Sequence, residues 1–154
     1  MNCLGVPVRY DPEMESVSIT LDRSRWWWPW KFAKFPGIVE TRGLFRWKYI
    51  MTGRTLYAFP SREQQAILLH EVGHARMNHI EKRLLRAWQI VLWPLGFARF
   101  CIMQEFQADS FAANCGYAME LASALARMRT DARASLHPAV AERVARLAVW
   151  HSKA

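Results

Sequence analysis

The 154-residue chain carries a net charge of +8, is 52% hydrophobic and contains three cysteines. That length suits a single domain with a real core, and that apolar content excludes a disordered polyelectrolyte. An odd cysteine count without zinc-finger or C-x-x-C spacing excludes a disulfide-stapled scaffold and points to a reducing, cytoplasmic setting, with Cys101 and Cys115 read as buried thiols. The surplus of cations suits either an acidic partner or an ordinary solvated surface.

The N-terminal residues lack the charged and apolar regions of a signal peptide. Strand signals through Leu21 are weak, and the clearest is Ser16 to Leu21, which alternates polar and apolar. Residues Arg23 to Phe35 (RSRWWWPWKFAKF) interleave indoles with cations. Such a run suits an anionic membrane surface, to which the protein would be peripheral, or stacking on single-stranded nucleic acid. It equally suits a cover for the helix that follows, as core or as cleft. Pro29 and Pro36 exclude a long helix here. From Ile38 to Phe59 the pattern predicts short strands or a hairpin, with a turn at Gly53-Arg54 and a last strand over Thr55 to Phe59. An edge strand there would accept an extended peptide through backbone hydrogen bonds.

The next helix is predicted from about Arg62 to at least Ile80, or as far as Leu92, with Ser61 as N-cap and Gln64 completing a capping box. It contains His70-Glu71-Val72-Gly73-His74. Histidines at i and i+4 stand on one helical face, where two imidazoles can hold one tetrahedral zinc and Glu71 can polarise a water. A buried helix with two hydrogen-bonded histidines is the plainer alternative. His79, nine residues after His70, falls about half a turn away on a continuous helix and so faces elsewhere.

The apolar run Leu84 to Met103 is interrupted by Arg86, Pro94, Gly96 and Arg99, which argues for a helical hairpin or interfacial segment rather than a membrane span. A second helix, from about Ala98 to Asn114, sets Glu105 and Asp109 at i and i+4, so both carboxylates can point at the first. Glu105 then offers a third ligand and Asp109 a partner for the free N–H of a ligand histidine. A third helix is expected from Tyr117 to about Thr130. A fourth follows His137-Pro138, with Pro138 at its first position, and runs to about Trp150.

With these residues in view, the chain resembles the gluzincin metallopeptidases, specifically the group containing the CAAX prenyl-protein protease and the HtpX heat-shock peptidase. The likeness rests on Leu69 to His79 (LHEVGHARMNH), Glu105 to Ala113 (EFQADSFAA) and, more loosely, His137 to Leu147 (HPAVAERVARL). It implies zinc ligands at His70, His74 and Glu105, a general base at Glu71 and an orienting role for Asp109. It also brings His137 near the active site, either donating to the developing oxyanion or merely starting a helix. Arg143 and Arg146 are alternatives for that electrophilic role. Membrane-type relatives carry several transmembrane helices, so this chain looks like a reduced, single-domain relative.

The expectation is therefore an α+β, zincin-like domain over residues 1–154. Residues 1–54 form N-terminal strands and the Trp-rich segment, and residues 55–154 form a catalytic core that hydrolyses peptide bonds with zinc. Two rivals stand beside it. One is a catalytically silent binding protein that contacts nucleic acid or anionic membrane through residues 23–35. The other is a zinc hydrolase acting on a different amide or on a cell-wall component.

Overall fold

The structure, a computed structural model, describes residues 2–11, 39–128 and 137–152. The Trp-rich run 23–35 and the alternating residues 16–21 lie outside the described residues. The described chain is α+β: a small mixed sheet packed against a set of helices.

Four short strands, β1 (Asn2–Cys3), β2 (Val6–Tyr10), β3 (Val39–Arg42) and β4 (Tyr49–Thr52), lie in the order β1-β2-β4-β3. β3 and β4 form a hairpin within the region expected to hold one, antiparallel with Val39 opposite Thr52 and Arg42 opposite Tyr49, but it turns between Arg42 and Tyr49 and not at Gly53-Arg54. Its turn requires Gly43: φ is +87°, and a Cβ there would sit 2.3 Å from the Trp47 carbonyl oxygen. β2 runs parallel to β4, which leaves β3 at the edge of the sheet. Alternation turns Val6 and Ile50 toward the helices, where they meet Ile67, Leu68 and Val72.

Residues 55–59 are not a strand. Arg54–Ala58 form a 3-10 helix that buries only Leu56 and leaves Thr55, Tyr57 and Ala58 exposed. One inward residue cannot hold a strand face against a core, and the local i to i+3 bond from the Phe59 N–H to the Leu56 carbonyl wins.

The first helix, α1 (Ser61–Arg76), begins with Pro60 as its cap and Ser61 already inside, so the expected capping box does not form. Gln64 instead donates its side-chain amide to the Phe59 carbonyl at 2.7 Å. Nor does α1 continue to residue 80. Asn78 adopts a left-handed conformation (φ 56°), and α2 (His79–Leu85) starts on a new axis. Lys48, buried at the start of β4, pins this break through the Ala75 carbonyl (2.8 Å), the Asn78 side-chain oxygen and Glu81 (2.8 Å).

A short α3 (Gln89–Leu92) leads into the long α4 (Pro94–Asn114), which opens with proline at its first position, about four residues earlier than expected. The apolar run 84–103 is thus divided between the end of α2, α3 and the first half of α4, with Trp93 between α3 and α4. Among the described residues no helix is long and apolar enough to cross a membrane. α5 (Ala118–Met128) and α6 (Val140–His151) complete the helices. Pro138 precedes α6 by two residues and is not its first residue. Cys101 is buried as expected, whereas Cys115, just past the end of α4, is exposed.

Helices α1 and α4 pack closely because Gly73 has no side chain. A Cβ on Gly73 would lie 3.1 Å from both the Ala108 Cα and the Phe111 Cβ. Around this crossing Ala66, Leu69, Ala112, Ala113, Leu121 and Leu147 form one buried cluster. The core therefore fixes the separation of the two helices that bear the ionisable residues.

Candidate metal centre

His70 and His74, one turn apart on α1, both face α4 and are buried. Their Nε2 atoms lie 3.1 Å apart. From α4, Glu105 sends one carboxylate oxygen to within 3.5 Å of His70 Nε2 and the other to within 3.5 Å of His74 Nε2. Ligand atoms of all three residues fall within 4.8 Å of one another. Tetrahedral coordination at zinc–nitrogen distances of about 2.0–2.1 Å separates neighbouring donors by about 3.3 Å. The observed separations bracket that value, so this donor set fits zinc.

The far nitrogens of both imidazoles are engaged. His70 Nδ1 donates to Asp109 at 2.9 Å, the orienting contact expected of Asp109. Arg143 of α6 grips the same carboxylate from the other side, with Nε on Oδ2 at 2.8 Å and Nη2 on Oδ1 at 2.6 Å. His79 was expected to face away, yet it is buried and its Nδ1 lies 2.8 Å from His74 Nδ1. The break at Asn78 is the reason, since the new axis of α2 swings residue 79 back toward the site. His79 is still not one of the three clustered ligands, and its Nε2 lies 3.1 Å from Gln107 Oε1.

No family model, no curated protein and no solved structure matches this chain. What the centre can do therefore rests on its own geometry.

Glu71 follows His70 on α1 and is half-buried, and its charge acts on Arg143, which grips Asp109. Thr41 on β3 holds that glutamate, with its hydroxyl 2.7 Å from the Glu71 carboxylate and 2.9 Å from the Glu71 carbonyl oxygen. His137, with about half its side chain exposed, approaches Glu105 at 3.3 Å through Nδ1. Arg83 of α2 donates to the other Glu105 oxygen at 3.0 Å and to Gln104 at 2.6 Å. Arg143 is committed to Asp109, and Arg146 lies over the Phe106 ring at 3.7 Å, away from the cluster.

Charge balance follows these contacts. Burial alone would raise the pKa of Glu105, but hydrogen bonds from His137 and His70 hold it well below the ordinary carboxylate range. Burial opposes ionisation of Asp109 too, and the Arg143 and His70 contacts outweigh it, leaving a pKa of about 2. For His70 burial favours the neutral form, yet the bonds to Asp109 and Glu105 raise its pKa to about 9. His79 moves the other way, to about 4, through burial and the neighbouring His74.

Thr41, Arg83 and Gln107 were not foreseen as part of the site. Thr41 sits 30 residues before Glu71 in an unremarkable strand, and no local spacing marks it. Arg83 lies four residues beyond His79, but only the break at Asn78 brings it to Glu105.

Proposed function

We propose that this chain is a zinc-dependent metallopeptidase, a single-domain, zincin-like relative of the gluzincins it resembles. The observation that carries the reading is the convergence of His70, His74 and Glu105, with the half-buried Glu71 next to His70 in the chain. A site needed only for structure has no use for such a carboxylate.

His70, His74 and Glu105 would hold the zinc, which when bound supplies a Lewis acid for a peptide carbonyl. Asp109 and His79 orient the two imidazoles so that their Nε2 lone pairs face the cluster. Glu71 takes the proton of the attacking water and delivers it to the leaving amine, and the Thr41 hydroxyl aims it. His137 stands at the exposed rim beside Glu105, where it can donate a hydrogen bond to the developing oxyanion. β3 takes over the role expected of residues 55–59. It is the edge of the described sheet, joined to the base through Thr41, and an extended peptide could add to it through backbone groups that no described strand pairs. A protein or peptide substrate follows from this. We assign the chain to the cytoplasm, supported by its three free cysteines.

Two measurements test the reading together. Protein purified without added metal should contain about one equivalent of zinc, since three protein ligands leave the open position of a catalytic site. The same protein should cleave members of a broad peptide library, and a chelator should abolish the cleavage. A well-folded chain that takes up no zinc would sink the proposal. Zinc uptake without cleavage of any peptide would leave a silent binding protein in its place.

A further inference from the structure

Between Lys82 and Gln104 the chain has no acidic residue and four basic ones, Lys82, Arg83, Arg86 and Arg99. The same stretch holds a concentration of exposed apolar side chains: Leu84, Leu85, Trp88, Leu92, Trp93 and Leu95. Leu85, Leu92 and Leu95 are each about three-quarters exposed (76, 74 and 75%). These residues occupy α2, α3 and the opening turn of α4, so the patch is one helical tip. The tip is internally built, since Arg86 stacks on Phe100 at 4.2 Å and Trp93 lies against Gly96.

So much exposed apolar surface in one place marks an interaction site, and the surrounding charge says with what. Four cations and no anions make the tip repel a second copy of itself. Leucines around the tryptophans are poorly suited to nucleic acid, where stacking on aromatic rings does the binding. Apolar side chains with indoles, fringed by cations, match the headgroup region of an anionic bilayer. We propose that the tip formed by residues 82–99 docks on anionic lipid membranes, inserting its leucines and tryptophans among the headgroups while its arginines meet lipid phosphates.

The docked orientation has a consequence for the candidate centre. Arg83 belongs to the tip and touches Glu105, and exposed Met103 lies two residues before that ligand. The tip would thus hold the centre close to the membrane surface, within reach of polypeptide lying there. The docking itself does not depend on peptidase activity, and its test does not use it.

The test is flotation of the full chain with phosphatidylcholine vesicles and with vesicles that also contain phosphatidylglycerol. Binding is expected only with the anionic lipid and should weaken as salt shortens the screening length. The variant Leu85→Ser/Leu92→Ser/Leu95→Ser should bind at least about tenfold more weakly, as lost burial of three leucines requires. Its melting temperature should match the parent's, because these side chains contact little. Arg86→Gln/Arg99→Gln, which leaves the apolar residues in place, should lower affinity and flatten the salt dependence. Failure of the parent to bind phosphatidylglycerol vesicles overturns the proposal. So does undiminished binding by both variants, which would assign the contact to another surface such as Trp26 to Trp30. Self-association seen by light scattering, abolished by the leucine variant and without vesicle binding, would mean that a second copy covers the tip. Binding to DNA or to an acidic polypeptide but not to vesicles would overturn it in favour of that partner.

Discussion

His79 Nδ1 stands 2.8 Å from His74 Nδ1, and the contact decides which nitrogen of His74 is left for a metal. Gln107 Oε1 accepts from the His79 Nε2–H, so the His79 Nδ1 carries a lone pair. That lone pair accepts from the His74 Nδ1–H, which leaves His74 Nε2 unprotonated and aimed at Glu105. Turning the Gln107 amide over would reverse the chain and put a proton on the ligand nitrogen. The low pKa of His79, about 4, keeps it neutral and able to accept. His79→Ala is therefore expected to weaken zinc binding by about tenfold or more, the range seen for partners of ligand histidines, without abolishing it. Competition with a chromophoric chelator measures this, and unchanged affinity would show that the contact does not orient His74.

Zinc uptake should be pH-dependent through His70. With a pKa of about 9 this imidazole is protonated at neutral pH in the absence of zinc, so the metal must displace its proton. Calorimetry in buffers of different ionisation enthalpy at about pH 7.5 should report release of about one proton per zinc bound. Zinc affinity should climb with pH until about pH 9. Stability of the zinc-free protein should move oppositely. The folded-state pKa lies above the ordinary 6.5, so the contribution of His70 is complete below that pH and is lost as pH rises through 9. Asp109, depressed to about 2, contributes above pH 3.8 and loses its contribution as pH falls through 2. A zinc-free melting temperature that rises between pH 7 and 9 would contradict the assignment of His70.

Much of this site was legible because it is helical and local. His70, Glu71 and His74 lie within five residues, and Glu105 and Asp109 within five more, so helix periodicity alone gives each set a common face. That the two faces meet depends on a small residue at the crossing, and Gly73 stands inside the motif itself. What could not be read depends on departures from periodicity. His79 comes out on the opposite face of any unbroken helix, and its true position follows from Asn78 turning left-handed under a buried lysine 30 residues earlier. Thr41 reaches Glu71 across a sheet-to-helix contact that no spacing encodes. Residues 55–59 carry Thr, Tyr and Phe, which favour strands, but among the described residues no strand pairs with them, and pairing is what such a short run needs.

Lys48→Met should be costly for the fold and for the site. The lysine is buried with Glu81, whose pKa is lowered: burial opposes ionisation, and bonds from Lys48 and backbone amides overcome it. Removing one partner leaves an uncompensated charge, and such changes cost about 3 kcal/mol or more. Denaturant unfolding should report that loss. Because Lys48 pins the α1–α2 break, zinc affinity should fall as well, and a variant that loses stability but keeps full affinity would disconnect the break from the positioning of His79.

Gly73→Val should separate α1 from α4. Even a Cβ at this position meets Ala108 and Phe111 at 3.1 Å, and two further methyl groups cannot be absorbed by backbone atoms at that distance. Overpacking of this kind costs about 1–3 kcal/mol. The more telling effect is on the ligands, because Glu105 approaches the imidazoles only by virtue of that crossing. Zinc affinity should drop further than in His79→Ala. Circular dichroism should still show a helical protein.

Glu71 and Thr41 separate chemistry from metal binding. Neither is among the three clustered ligands, and the buried Thr41 hydroxyl holds the Glu71 carboxylate. In Glu71→Gln the side chain keeps its size and can still meet the Thr41 hydroxyl, so zinc content and melting temperature should stay near the parent's values. The missing property is a carboxylate able to accept a proton, and general-base catalysis is worth about 10²–10⁴-fold. Peptide cleavage should fall by at least that factor. Thr41→Val keeps the base but removes the hydrogen bond that aims it, so cleavage should fall by a smaller factor, of order tenfold for a contact worth about 1–1.5 kcal/mol. Thr41→Ser should restore most of it. Glu105→Gln makes the contrast, because it should lower zinc affinity and activity together. Should Glu71→Gln cleave as fast as the parent, the proton goes elsewhere, and His137, already beside Glu105 at the exposed rim, becomes the group to change next.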